Sequence, residues 1–114
     1  MTGEPTYIEL GVPSADAARA FYGPLLGWAP SGDAGNGQVE TPGLSIGIHD
    51  GDDDRHFEVF FAVDDLAAGA AKVTELGGRL IGEVHDDPGF GKWIECADDQ
   101  GVRFGLRGRG RLAA

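Results

Sequence analysis

YIELGVPSADAARAFYGPLLGW, residues 7–28, begins with alternating apolar positions, passes a Ser-Ala-Asp cap and enters a helical stretch carrying Phe21-Tyr22 before Leu26-Gly27-Trp28. Residues 58–78, EVFFAVDDLAAGAAKVTELGG, repeat the plan: an alternating strand, an acidic cap and an Ala-rich helix that stops at Gly-Gly. Val12 to Gly27 is fifteen residues and Val63 to Gly77 is fourteen, so the two units agree in length as well as order. A strand-helix unit cannot bury its apolar face alone, so self-similarity of this kind points to units that pack together. Two copies about fifty residues apart imply one pseudo-symmetric domain and exclude an open solenoid.

The rest of the composition bounds the function. At 114 residues the chain is long enough for one domain with a single core. Nine basic against nineteen acidic residues give a net charge of −10, a field that repels nucleic acid and anionic membranes. Neither is expected as a partner. The basic exception is the tail, with Arg103, Arg107, Arg109 and Arg111; its outer part reads as a solvated terminus in preference to an RNA-contacting arm. Cys96 is the one cysteine, which rules out an intrachain disulfide and a Cys-based zinc site. It stands at an apolar strand position and reads as a buried, inert thiol. No apolar run approaches the ~20 residues that span a bilayer, and MTGEPTYIEL has no signal-peptide character. A cytoplasmic location is the expectation.

Along the chain, period-two alternation predicts a first strand over about 7–12, ended by Pro13. Ser14 or Asp16 caps the first helix, on which Ala17, Phe21 and Leu25 share a face, and Gly23-Pro24 should loosen or end it. Three short strands follow near 27–31, 36–41 and 44–49, with SGDAGNGQ as a loop. HDGDDDR, residues 49–55, resembles a calcium loop, but Phe61 occupies the twelfth position from Asp50, where that loop needs Glu. It reads as a solvated acidic linker. The second half predicts a strand over 57–63, an Asp64 or Asp65 cap, and a helix with Leu66, Ala70, Val73 and Leu76 at helical spacing. Gly77-Gly78 stops that helix. Strands near 79–85, 91–97 and 102–107 complete the unit, and HDDPGFG and ADDQG are turns.

A β-α-β-β-β unit repeated once, with Phe21-Tyr22, Leu26-Gly27-Trp28 and Asp98-Asp99-Gln100-Gly101 at these places, resembles the vicinal oxygen chelate superfamily, the group of glyoxalases, bleomycin-resistance proteins and extradiol dioxygenases. The resemblance implies an α/β (α+β) fold of two paired β-α-β-β-β modules, about 6–52 and 56–107, whose strands curl around a concave cleft. It leaves the activity open, because lyases, isomerases, dioxygenases, thiol transferases and non-catalytic drug binders share the scaffold. With helices on the convex side, alternation assigns Ile8, Leu10, Val12, Ile46, Ile48, Val59, Phe61, Val63, Ile94, Cys96, Val102, Phe104 and Leu106 to the helix face. The cleft face then carries Tyr7, Glu9, Ser45, Gly47, His49, Glu58, Phe60, Trp93, Glu95, Arg103, Gly105 and Arg107.

Metal-dependent members of that superfamily hold one divalent ion with His and Glu on the first and last strands of each module. Here those positions fall on Tyr7, on or near Gly47 with His49 two residues on, on Glu58 and on Gly105. A tyrosine must ionise from a pKa near 10 to bind, and glycine has no side chain. The metal site is expected to be lost, with no cofactor and a divalent ion disfavoured. Any acid-base chemistry falls to Glu58 as base with His49 as its partner; His56 reads as a surface residue and His85 as structural. The expected ligand face is lined by Tyr7, Trp28, Phe60 and Trp93, with Glu9, Glu58, Glu95 and Arg103 supplying charge. The resulting reading is a metal-independent homodimeric small-molecule binder of the bleomycin-resistance type, taking a cationic or aromatic compound. The alternatives are a lyase or isomerase of the same superfamily acting on a small metabolite, with Glu58 and His49 as acid/base or residual metal ligands, and, third, an interaction module.

Overall fold

The computed structural model describes residues 3–28, 30–32, 37–40 and 44–108, the two short central stretches as backbone only. The outer tail with Arg109 and Arg111, and part of the expected loop at 31–38, lie outside the described residues. The chain divides into two compact units: Tyr7–Val59, and the residues from Phe60 onward together with the segment before Tyr7. Element order is β1 (Pro5–Gly11), α1 (Ala15–Leu26), β2 (Pro30–Gly32), β3 (Gly37–Glu40), β4 (Ser45–His49), β5 (His56–Val63), α2 (Leu66–Glu75), β6 (Arg79–Asp87), β7 (Gly91–Ala97) and β8 (Arg103–Gly108).

Within the first unit the strands run in the order β2-β3-β4-β1, with β1 parallel to β4 and the other pairs antiparallel. In the second they run β6-β7-β8-β5, with β5 parallel to β8 and the others antiparallel. Each unit is thus the same β-α-β-β-β motif, and the mixed α+β class expected from the repeat is what the chain adopts. In each, the first strand pairs with the last because a parallel neighbour needs a crossover, and the helix supplies it.

Local chemistry explains the helix ends. The Ser14 hydroxyl accepts from the Ala17 amide at 3.1 Å, and the Asp65 carboxylate accepts from the Ala68 amide at 3.1 Å. Ser14 and Asp65, of the two candidates at each start, are therefore the caps. Gly27 takes φ +73 and donates its amide to the Gly23 carbonyl at 2.8 Å, a left-handed stop that a Cβ would hinder. The helix does not end at Gly23-Pro24: it runs through Pro24 to Leu26. Gly23 has no Cβ to meet the proline ring, so the usual steric objection to α conformation before proline is weakened.

The core of each unit lies between helix and sheet. In the first, Leu10, Ile46 and Ile48 pack against Ala15 and Ala18 of α1, with Ile8, Val12, Tyr22 and Trp28 around them. In the second, Ile94, Cys96 and Leu106 pack with Phe61, Val63, Leu66, Val73 and Phe104. Cys96 is fully buried. Two assignments from alternation and helical spacing need correction. The buried face of α1 is Ala15-Ala18-Tyr22, while Phe21 and Leu25 are each 63% exposed; small alanines let the helix sit close to the sheet, which sets its rotation. Val102 is also exposed, because it lies just before β8 begins.

Candidate functional site

On β1 the face opposite the core carries Tyr7 and Glu9. The phenol donates to Glu9 Oε1 at 2.8 Å, and a Cβ placed on Gly47 of β4 would collide with the Tyr7 hydroxyl. Tyr7 therefore fills the notch over Gly47. Strand register explains the match, since Gly47 lies opposite Glu9 and its absent side chain leaves room for a neighbour two residues away. In the second unit the corresponding notch is over Gly105, opposite Phe60, and the Phe60 ring occupies it.

These two contacts answer whether a superfamily-type ion fits. Of the four expected positions, Tyr7 presents a phenol already bonded to a carboxylate. Gly47 and Gly105 present none, and each is covered by a neighbour's ring or hydroxyl. Glu58 remains as a competent ligand, with His49 two residues from Gly47 as a second, and a stable site usually needs three or more. The residues at those positions do not fit the ion.

Glu58 is 4% exposed, the only buried charged residue among those described. Its nearest imidazole is not His49 but His56, whose Nε2 lies 3.1 Å from Glu58 Oε1. His49 instead places Nδ1 3.4 Å from Asp52 Oδ2, at the edge of hydrogen-bonding range. The expected surface assignment of His56 is corrected by the same geometry. Residues two apart on a strand share a face, so β5 presents His56 and Glu58 side by side. That spacing is the sequence signal that would have found the pair.

The 49–55 segment is more than a solvated linker. Asp50 Oδ1 accepts from the Ala15 amide at 2.6 Å, adding to the start of α1. Backbone bonds Gly51 to Pro13 and Asp52 to Val12 pin it against the end of β1. The Asp54 amide donates to Asp52 Oδ1 at 2.8 Å and, as the main cause, holds the Asp52 carboxyl below the usual carboxylate range. Burial opposes this, while His49 and His56 add to it. Gly11 is required here: a side chain would strike the Asp52 carboxylate and the His56 ring.

In the second unit Phe60, Phe90 and Trp93 meet edge-to-face at 5.6–6.4 Å between ring centroids. His85 stacks on Trp93 at 4.3 Å, and the Trp93 indole donates to Asp87 at 2.8 Å. Arg107 lies 3.9 Å above the Phe90 ring, donates from Nε and one terminal nitrogen to the Phe90 carbonyl, and reaches the Thr6 hydroxyl with the other. Arg103 is paired with Glu95, its Nε at 3.2 Å. Both guanidinium groups are thus engaged with the protein itself. Trp28, expected beside these residues, stacks on Tyr22 and packs into the helix-side core of the first unit. An open groove lined by Asp64, Asp65, Leu66, Val84, Asp86 and Lys92 lies at the start of α2.

Twin β-α-β-β-β units are the vicinal oxygen chelate architecture. The chain belongs to the glyoxalase-like domain family, whose model matches residues 7–107. Among curated relatives, "Putative glyoxylase CFP32" of Mycobacterium tuberculosis is 32% identical over 92% of this chain and 44% of its own length. The anthracycline biosynthesis protein DnrV of Streptomyces peucetius is 28% identical over 95% of this chain and 48% of its own. The chain spans about half the length of these relatives. Solved structures with the same fold include the hypothetical protein BH1468 of Bacillus halodurans, with TM-score 0.72, 15% identity and 94% of each chain covered. Methylmalonyl-CoA epimerase of Mycobacterium tuberculosis gives TM-score 0.69 and 19% identity, covering 98% of this chain and 92% of that one. No described helix is long and apolar enough to cross a membrane.

Proposed function

We propose that the protein binds a small organic molecule without the superfamily's metal ion, and that the ligand is a cationic or neutral aromatic compound. The observation that carries this reading is the partly exposed pair Phe90 and Trp93, backed by the buried Phe60 ring, with both nearby guanidinium groups already committed to Glu95, Phe90 and Thr6. An anionic ligand would have to displace those partners while approaching a chain of net charge −10. A cationic aromatic ligand is steered inward and gains about 0.5–2 kcal/mol per aromatic contact. Glu95, in the same unit as these rings, is assigned to ligand orientation, and the chain acts as an isologous homodimer. The exposed Phe21 and Leu25 on α1 favour such pairing.

A fluorescence screen tests the ligand class. The protein has two tryptophans, and Trp28→Phe leaves Trp93 as the sole reporter. Cationic and neutral aromatic compounds should give the strongest quenching, weakened by salt and by Glu95→Ala. Light scattering should return twice the chain mass.

A second reading is favoured by the buried Glu58-His56 pair and by the epimerase among the structural neighbours. In it the Glu58 carboxylate removes a proton from carbon and His56 holds the carboxylate in place, giving an isomerase of an anionic metabolite. Best hits that are carboxylates or phosphates, lost in Arg103→Ala, would select this reading over the first.

A further inference from the structure

We propose that Asp52, Asp54 and His56 form a binding site for a first-row divalent cation, separate from the four superfamily ligand positions and independent of the ligand reading above. One ligand atom from each of these residues lies within 4.8 Å of the other two. The set is one imidazole and two carboxylates, a donor combination suited to Zn2+, Mn2+ or Co2+. The imidazole and the lack of a carboxylate at the twelfth loop position both disfavour Ca2+.

The second observation concerns the imidazole. His56 Nε2 faces the Glu58 carboxylate at 3.1 Å, and a carboxylate only accepts, so Nε2 carries the hydrogen. The other ring nitrogen, Nδ1, is buried and has no hydrogen-bond partner among the described residues. A buried lone pair without a partner is unfavourable unless something positive sits with it. A divalent ion supplies that charge. A carboxylate bonded to the far nitrogen of a ligating imidazole fixes the ring and its tautomer and strengthens it as a donor. Glu58, buried beside the ring, is placed for that role.

The remaining partners are consistent with an ion bound at the loop. Asp52 Oδ1 accepts from the Asp54 amide at 2.8 Å, which orients the carboxylate. Its Oδ2 faces His49 at the limit of bonding distance, so that oxygen can turn toward an ion at little cost. Asp54 is exposed, which gives the site an entrance and leaves its other coordination positions to water or a ligand.

The test uses the untagged full chain stripped of metal. Mn2+ added below one equivalent should broaden the backbone amide signals of residues 52–56 before any others. Calorimetric titration with Zn2+ should show one saturable site. His56→Gln and Asp54→Asn should each lower its affinity more than tenfold, and Glu58→Gln, which removes no ligand, by about tenfold to a hundredfold. Asp54 is exposed, so its variant keeps the fold whatever the His56 variant does. The proposal is overturned by absence of saturation below about 1 mM. Broadening centred elsewhere, or affinity unchanged in Asp54→Asn, also overturns it.

Discussion

The two halves of the chain share one backbone plan and fill it with opposite chemistry. In Tyr7–Val59 the notch over Gly47 holds a phenol bonded to Glu9, and β5 begins with a half-buried histidine against a buried glutamate. In the half from Phe60 onward, the equivalent notch over Gly105 holds an aromatic ring, and three further rings gather beside it. A repeated fold fixes where side chains can go. It does not fix whether they are ionisable or apolar, and here the notch in one half holds a hydrogen-bonded phenol and the notch in the other a buried aromatic ring.

The contrast can be broken most directly at Phe60. Phe60→Ala should cost about 3–5 kcal/mol in urea unfolding, since the ring is almost fully buried. A loss well under that would mean the aromatic group is not the second half's core on that face. Gly105→Ala comes next, at about 1–3 kcal/mol from overpacking against the same ring. The two substitutions should be strongly non-additive, because the methyl added on β8 has nothing to strike once the ring is gone. Gly47→Ala should cost less than Gly105→Ala, as the obstructing Tyr7 hydroxyl is the end of a side chain that can swing out.

The polar half is tested at His56. His56→Ala removes one partner of a buried carboxylate and should cost about 1–3 kcal/mol, part of which Glu58→Gln in the same chain should restore. A smaller effect is expected at the helix caps. Ser14→Ala and Asp65→Ala should each cost about 1 kcal/mol, in thermal or urea unfolding.

Much of this is legible in the sequence because it depends on local chemistry. The repeat, the strand alternation and the caps are properties of neighbouring residues, and the superfamily resemblance places Tyr7, Gly47, Glu58 and Gly105 at the expected ligand positions. What the sequence hides depends on tertiary contact. The rotation of α1 is set by how closely Ala15 and Ala18 let it approach the sheet, so the larger Phe21 and Leu25 mislead. Trp28 follows the chain turn onto Tyr22, which alternation across a loop cannot foresee. Arg55 alongside makes His56 read as a surface residue, although the partner two residues on carries the information.

One strand of the second unit bears on behaviour in concentrated solution. Strand β6 is nine residues long, pairs on one side with β7, and is exposed along nearly its whole length. Such a margin is a template onto which a strand from another molecule can add. Its pairing with β7 shifts register between Ile81 and His85, where Gly82 adopts φ +78, and Arg79, Glu83, Asp86 and Asp87 stud the rest. The kink and the charges spoil the flat, continuous ladder that a growing fibril requires. Straightening the strand with Gly82→Val would add a third β-branched side chain to Ile81 and Val84 in a smoother run, and should shorten the lag before aggregation. The glycine kink is thus a local break in an otherwise exposed edge strand.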